Sequence, residues 1–225
     1  MPILQFSVNQ TLYLRNPNDS VLGRKIISES IRLINQLGFE HFTFKKLARA
    51  IGSTEASVYR YFENKHRLLL YLIDWYWLWM DYRFEVVTQN LKEPKERLNA
   101  CLKALLTDDS PGANGHEPNL RALKNLVMAE FEKTYLTKHV DQDNREGVFL
   151  PYKTVCKKLA ALIREINPSF PFPHTLISTV MLTANHQLFY AEHLPSLTDI
   201  KAHTGHSDTQ LECFLQLMIY KTIEP

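Results

Sequence analysis

The residues best suited to chemistry lie between positions 43 and 65: Thr43-Phe-Lys-Lys-Leu-Ala-Arg-Ala-Ile-Gly52-Ser-Thr-Glu-Ala-Ser-Val-Tyr59-Arg-Tyr-Phe62-Glu-Asn-Lys65. Hydroxyls and cations alternate here with small groups of apolar residues. Leu47, Ala48 and Ile51 share one side of a short helix; Val58 and Phe62 share one side of the next. Gly52 between them permits a backbone turn that a side chain would oppose. Two short helices joined by a tight turn form a helix-turn-helix. With the apolar residues packed inward, Thr54, Glu55, Ser57, Tyr59 and Arg60 point outward from the second helix. A helix so dressed fits a DNA major groove about 12 Å wide, its N-terminal residues reaching base edges. The same helix pair also occurs as plain scaffold, but exposed Thr, Ser, Tyr and Lys side chains have no packing reason to be there.

The elements that must hold this pair are legible on either side. Ser20 is placed to cap a first helix, with Leu22, Ile26, Ile27, Ile31, Ile34 and Leu37 as its apolar stripe and Gly38 as its left-handed end. Thr43 caps the second helix, 44–50, and Ser53 or Thr54 opens a third that runs through Tyr61. Asn64 caps a fourth, from Lys65 to about Lys92, stopped before Pro94. The fourth carries apolar stripes on two opposite faces and reads as a strut packed on both sides. Further helices are expected over 95–106, 119–133, 135–145, 149–166, 174–194 and 207–222, with no convincing strand alternation. The expected class is all-α: a three-helix N-terminal domain at 20–66, a helical-bundle domain at 67–225, and a tail at 1–19.

Composition agrees. The 45% apolar share is ordinary for a globular chain. Residues 1–70 hold ten Lys and Arg against five Asp and Glu, whereas 71–225 hold sixteen against nineteen. A basic first third on a mildly acidic remainder suits phosphate binding at one end. No window approaches the ~18–20 apolar residues of a membrane span, and Met1 to Gln10 does not read as a signal peptide. Cys101, Cys156 and Cys213 lie far apart in helical stripes and read as ordinary buried thiols, which points to a cytoplasmic location and no membrane partner. G-x-S-x-G, H-E-x-x-H, G-x-G-x-x-G and the phosphate-loop pattern are all missing, so no enzyme is expected. No cofactor is expected, and no metal either: His193, Asp199, His203 and His206 sit in loop-like surroundings that fix no ligand geometry.

The stretch Thr43 to Leu68 resembles the DNA-binding signature of TetR-type (TetR/AcrR-like) transcriptional regulators. Thr43, Gly52, Tyr59, Phe62, Lys65 and Leu68 fall on the family's pattern, and the likeness spans about residues 20–72. It implies that Thr43, Tyr59 and Lys65 hold phosphates and that Lys45 and Ser57 touch base edges or phosphate. Lys46, Arg49, Arg60 and Tyr61 would lie beside the DNA backbone. Glu55 departs from the basic or small residue common there. It either favours the positive end of its own helix or accepts from cytosine N4. Arg15, in the expected tail, either reaches a minor groove or does nothing.

The resemblance also implies a homodimer on a double-stranded DNA operator and a regulatory second domain, in the manner of a repressor released by a small effector. The last two long helices, 174–194 and 207–222, offer the dimer face: Leu176, Val180, Ala184, Gln187, Leu188 and Ala191 on one, Leu211, Phe214, Leu215, Met218 and Ile219 on the other. Aromatics at Trp75, Trp79, Tyr82, Phe131, Tyr135, Phe149, Tyr152 and Tyr190, with His186, are candidates for a pocket that takes an apolar or aromatic effector. They also fit plain core. The competing function is a non-catalytic helical interaction protein that keeps a vestigial helix-turn-helix.

Overall fold

The computed structural model describes residues 6–107, 119–201 and 207–224. Among these residues ten α-helices follow one another: α1 (Val21–Leu37), α2 (Phe44–Ala50), α3 (Glu55–Tyr59), α4 (Lys65–Thr88), α5 (Pro94–Leu106), α6 (Leu120–Tyr135), α7 (Val140–Arg145), α8 (Leu150–Ile166), α9 (Pro173–His193) and α10 (Ser207–Ile223). No strand occurs among the described residues, so the all-α expectation holds. Two compact units result. One gathers the described residues up to Trp79 with 119–152; the other gathers those from Met80 to 107 with Lys153 onward.

The helix ends are where capping chemistry places them. Ser20 Oγ accepts from Gly23 N–H at 2.9 Å, and Gly38, at φ +74°, closes α1 by donating to the Ile34 carbonyl at 2.8 Å. Thr43, Thr54 and Asn119 cap α2, α3 and α6 in the same manner. Asn64 Oδ1 accepts from Arg67 N–H at 2.9 Å and opens α4. α4 is the most enclosed helix. From Leu68 to Trp77 all ten successive residues are buried, as two opposed apolar stripes require. It ends at Thr88, short of the expected 92, and the helix expected over 135–145 is confined to 140–145.

In the first unit, α1 packs on α2 and α6, with Ile26, Ile31, Phe42, Leu47, Val58 and Phe62 at its centre. The division into 1–19, 20–66 and 67–225 is not the division into compact units. Residues 6–19, read from the sequence as a tail, are packed. Two 3-10 turns, Gln10–Leu12 and Pro17–Asp19, bury Leu12 and Pro17, and Val8 is buried as well. Phe6 meets Trp75 edge-on at 5.3 Å and Tyr13 meets Tyr71 at 5.9 Å. Such a segment has no helical period, so its burial left no mark in the pattern.

Gly23 shows how close this segment lies. A Cβ built there would stand 2.2 Å from the Pro17 carbonyl oxygen. Asp74, on α4, is 3% exposed. Its Oδ2 accepts from Asn9 N–H at 3.1 Å, while its Oδ1 is buried with no hydrogen-bond partner. Burial pushes its carboxyl up from 3.8 to about 7, against the smaller, opposite pull of the Asn9 hydrogen bond.

The second unit rests on Leu98, Leu102, Leu159, Ile163, Ile177, Val180, Leu211, Leu215 and Ile219, all fully buried. Lys158 Nζ bridges Asp81, at 2.7 Å, and Glu85; Arg97 pairs with Glu165. Tyr220 Oη donates to Asn99 Oδ1 at 2.8 Å and Asn167 Nδ2 to the Ile223 carbonyl at 2.6 Å, which fixes the end of α10. Cys101 is buried as expected, but Cys156 is half-buried and Cys213 is exposed on α10. Among the described residues no helix is long and apolar enough to cross a membrane.

Two stability predictions follow from the first unit. Asp74 keeps its proton in the folded chain between about pH 4 and 7 while the unfolded chain gives its proton up. The folded state therefore loses stability as pH rises through that window. Asp74→Asn removes the charge, so urea denaturation should find the variant more stable than wild type at pH 8, by roughly 2–4 kcal/mol, with the gap narrowing toward pH 4.5. Gly23→Ala should lower stability by about 1–3 kcal/mol, read as a fall in thermal midpoint; an unchanged midpoint would mean that Pro17 does not pack there.

Candidate nucleic-acid interface

The helix-turn-helix is built by α2 and α3. Leu47, Ala48 and Ile51 on one side and Val58 and Phe62 on the other are each at most 3% exposed. Gly52 takes φ +66°, and Ser53 N–H donates back to the Ala48 carbonyl at 2.9 Å. Lys25, on α1, donates to the Ile51 carbonyl at 2.9 Å and ties the turn to the first helix. The turn is therefore held from both sides.

With its inner face fixed, α3 has one outward face. Thr54, Glu55, Ala56, Tyr59 and Arg60 are exposed and Ser57 is half-exposed. The Thr54 and Ser57 hydroxyls lie 3.0 Å apart, and Thr54 Oγ1 also accepts from Ser57 N–H at 3.3 Å. Tyr59 is 47% exposed, its ring steadied edge-on by Phe44 at 5.0 Å. Thr43, Lys45, Lys46 and Arg49 on and beside α2 are exposed too. Lys46 Nζ donates to the His41 carbonyl at 2.8 Å and Thr43 Oγ1 accepts from Lys46 N–H at 3.2 Å. The surface thus offers hydroxyl donors and cations in a rigid frame, which is what phosphate and base contacts require.

Two of the expected contact residues are engaged with their own chain. Tyr61 is 2% exposed; its hydroxyl is bonded to Ser20 Oγ at 2.7 Å, and its carbonyl accepts from Leu14 N–H at 2.8 Å. It is a core residue, because α3 ends at Tyr59 and the turn of chain that follows points Tyr61 inward. Lys65 directs its ammonium at three carbonyls, those of Phe39 (3.1 Å), Glu40 (3.2 Å) and Phe42 (3.4 Å), and lies 4.7 Å over the Phe39 ring. It holds the loop before α2, so its three N–H bonds are spent on the backbone. Arg15 sits 5.4 Å over the Tyr61 ring.

The aromatic candidates for an effector site divide between the units. In the first, Trp77 lies 4.8 Å from Tyr152 and 5.5 Å from Phe131. Phe131 lies 4.7 Å from Tyr152 and 4.9 Å from Tyr135. Trp75, Trp79 and Phe149 are buried in the same unit. In the second, Tyr82 is exposed and His186 stands 5.8 Å from Tyr190. Trp77, absent from the sequence candidates because it falls on the opposite stripe of α4, is the centre of the ring cluster. Its Nε1 is buried without a hydrogen-bond partner. Burial lifts the Tyr135 hydroxyl to about 12, so that group is a neutral donor.

Of the residues expected on the dimer face, Phe214 is exposed and Gln187, Leu188 and Met218 are half-buried. Leu176, Val180, Ala184, Ala191, Leu211, Leu215 and Ile219 are buried in their own unit, whereas Phe189, Leu194, Phe214 and Leu217 are 42–56% exposed. Among the described residues no group of three or more His, Cys, Asp or Glu side chains is gathered for a metal; His203 and His206 lie outside the described residues.

Comparison with known proteins places this geometry. Residues 26–72 match the family model of bacterial regulatory proteins, tetR family. The chain is 25% identical over 185 residues to YvaF of Bacillus subtilis (strain 168), an uncharacterised HTH-type transcriptional regulator; the match covers 80% of this chain and 93% of YvaF. Its fold is similar to that of AibR, solved with isovaleryl coenzyme A and operator DNA (16% identity, 90% of this chain and 99% of AibR, TM-score 0.57). It is also similar to a putative transcriptional regulator of Saccharomonospora viridis solved with choline (16% identity, 87% of this chain and 94% of that one, TM-score 0.62). In its helix-turn-helix segment, residues 26–72, the chain is thus similar to the tetR family of bacterial regulatory proteins.

Proposed function

We propose that this transcriptional regulator is a cytoplasmic homodimeric repressor whose α2–α3 surface grips an operator and lets go when a small effector binds. One observation carries the DNA reading. Val58 on α3, with Tyr61 and Phe62 just after it, is buried, while Thr54, Tyr59 and Arg60 are exposed and Ser57 is half-exposed. Thr54 and Ser57, at the N-terminal end, are the candidates for base edges; Thr43, Lys45, Lys46, Tyr59 and Arg60 are those for phosphates. Lys65 and Tyr61 act behind them by fixing the loop before α2 and the end of α3.

A dimer is needed because two such helices must meet half-sites about 34–36 Å apart. Exposed Phe189 on α9 and Phe214 and Leu217 on α10 supply apolar surface for it. For the effector, the Trp77, Phe131 and Tyr152 rings and the unsatisfied indole N–H of Trp77 favour an apolar molecule with a hydrogen-bond acceptor. AibR, caught with an acyl coenzyme A and operator DNA, is a fold relative that engages both kinds of partner.

Binding to a duplex enriched by the protein from a random-sequence pool tests the reading. Affinity should fall steeply with salt, and Arg60→Ala should lower the slope of log affinity against log salt by about 1. Ser57→Ala should cost about 1–3 kcal/mol and relax the preference at one base position. Enrichment of no duplex, or a flat salt response, would overturn it. Leu217→Arg with Phe214→Arg should turn the dimer into a monomer in sedimentation and cost most of the operator affinity; an unchanged particle mass would remove α10 from the interface.

A further inference from the structure

Asn9 is used completely. Its backbone N–H donates to Asp74 Oδ2 on α4 at 3.1 Å, and its side-chain Nδ2 donates to the Glu146 carbonyl, just past α7, at 2.8 Å. Its Oδ1 accepts from both the backbone N–H and the hydroxyl of Thr11, at 3.0 and 2.9 Å. The corner that Asn9 grips is pinned from a second side. Arg67, in the first turn of α4, donates to Asp143 at 3.3 Å and to Glu146 Oε2 at 3.0 Å. Gly147 turns the corner at φ +79°.

The segment that begins at this corner ends at Tyr61, just past α3. Leu14 N–H donates to the Tyr61 carbonyl, Ser20 Oγ bonds the Tyr61 hydroxyl, and Arg15 covers the Tyr61 ring. Between these ends Leu12 and Pro17 are buried, and Tyr13 leans on Tyr71, which leans on Phe62 at 5.4 Å. The chain from 9 to 20 is thus fastened at both ends and packed between them. A segment anchored at both ends and seated at Leu12 and Pro17 between them can pass displacement along its length.

We infer that residues 9–20 form a strap that sets the position of α3 from the corner after α7, and that Asn9 is its positioning residue. Displacement of that corner pulls on Tyr61 and with it on the outer face of α3, so the corner's state governs DNA affinity. The DNA arm of this inference rests on the reading given under Proposed function; the mechanical arm does not. A strap that merely added stability would lower the melting point and leave the two ends uncoupled.

Asn9→Ser separates the alternatives, because a serine hydroxyl can still accept from Thr11 N–H but cannot reach Glu146. At a temperature where the variant is fully folded, its affinity for the duplex enriched by the wild-type protein should fall about five- to tenfold. Hydrogen exchange should quicken at Tyr61 and Phe62 as well as at Glu146 to Val148. Faster exchange confined to 146–148, with affinity within twofold of wild type, overturns the strap. Should Asn9→Ser not fold, Tyr61→Phe gives the reverse pull: one hydroxyl lost at the far end should quicken exchange at 146–148, and unchanged exchange there overturns the strap. Should the wild-type protein enrich no duplex, the repressor reading fails and the exchange arm alone decides this one.

Discussion

The whole outward surface of α2 and α3 depends on the closure of α3 onto α2 around Gly52. Five apolar side chains, Leu47, Ala48, Ile51, Val58 and Phe62, give up nearly all their exposure in that contact. At about 25 cal/mol per Å² of apolar surface removed from water, each fully buried large side chain is worth roughly 1.5–3 kcal/mol. A five-residue helix has no stability of its own, since nucleation alone outweighs its few hydrogen bonds. It exists because its inner face is captured, and capture of the inner face decides which residues are left outside. The positions of Thr54, Ser57, Tyr59 and Arg60 follow from that contact.

The surrounding groups make the contact rigid. Lys25 ties the turn to α1, Lys65 binds the loop before α2, and Ser20 and Leu14 hold Tyr61 at the end of α3. Lys25, Lys65 and Ser20 act through polar side chains and Leu14 through its backbone N–H, each bonding a backbone or hydroxyl group, which is how a small domain gains a fixed geometry. Asp74 is the opposite case. It keeps a buried carboxyl with one oxygen unsatisfied, and that costs stability at neutral pH.

Much of this was legible in the sequence, for a physical reason. Caps and periodic stripes act locally, so Ser20, Gly38, Thr43, Gly52 and the face of α1 could be read without knowing what they touch. The signature from Thr43 to Leu68 then set the class of protein. What escaped was what local pattern does not encode. Tyr61 sits two residues past the end of α3, where helical spacing stops reporting direction, so it read as a DNA neighbour and is core. A lysine ammonium suits three carbonyls as well as a phosphate, and only coordinates separate the two for Lys65. Residues 6–19 have no period at all, and their packing against α4 joins positions 65 residues apart. Trp77 was passed over because α4 is apolar all round, and a helix of that kind does not say which of its faces holds the cluster.

The proposal stands on the outward surface of α2 and α3 meeting the duplex. Backbone amide resonances followed during titration with the enriched duplex test it most directly. The account predicts large shifts at Thr54 to Arg60 and at Thr43 to Lys46, with Val58 and Phe62 moving only as neighbours. Shifts concentrated on α5 to α10 with α3 silent would contradict it.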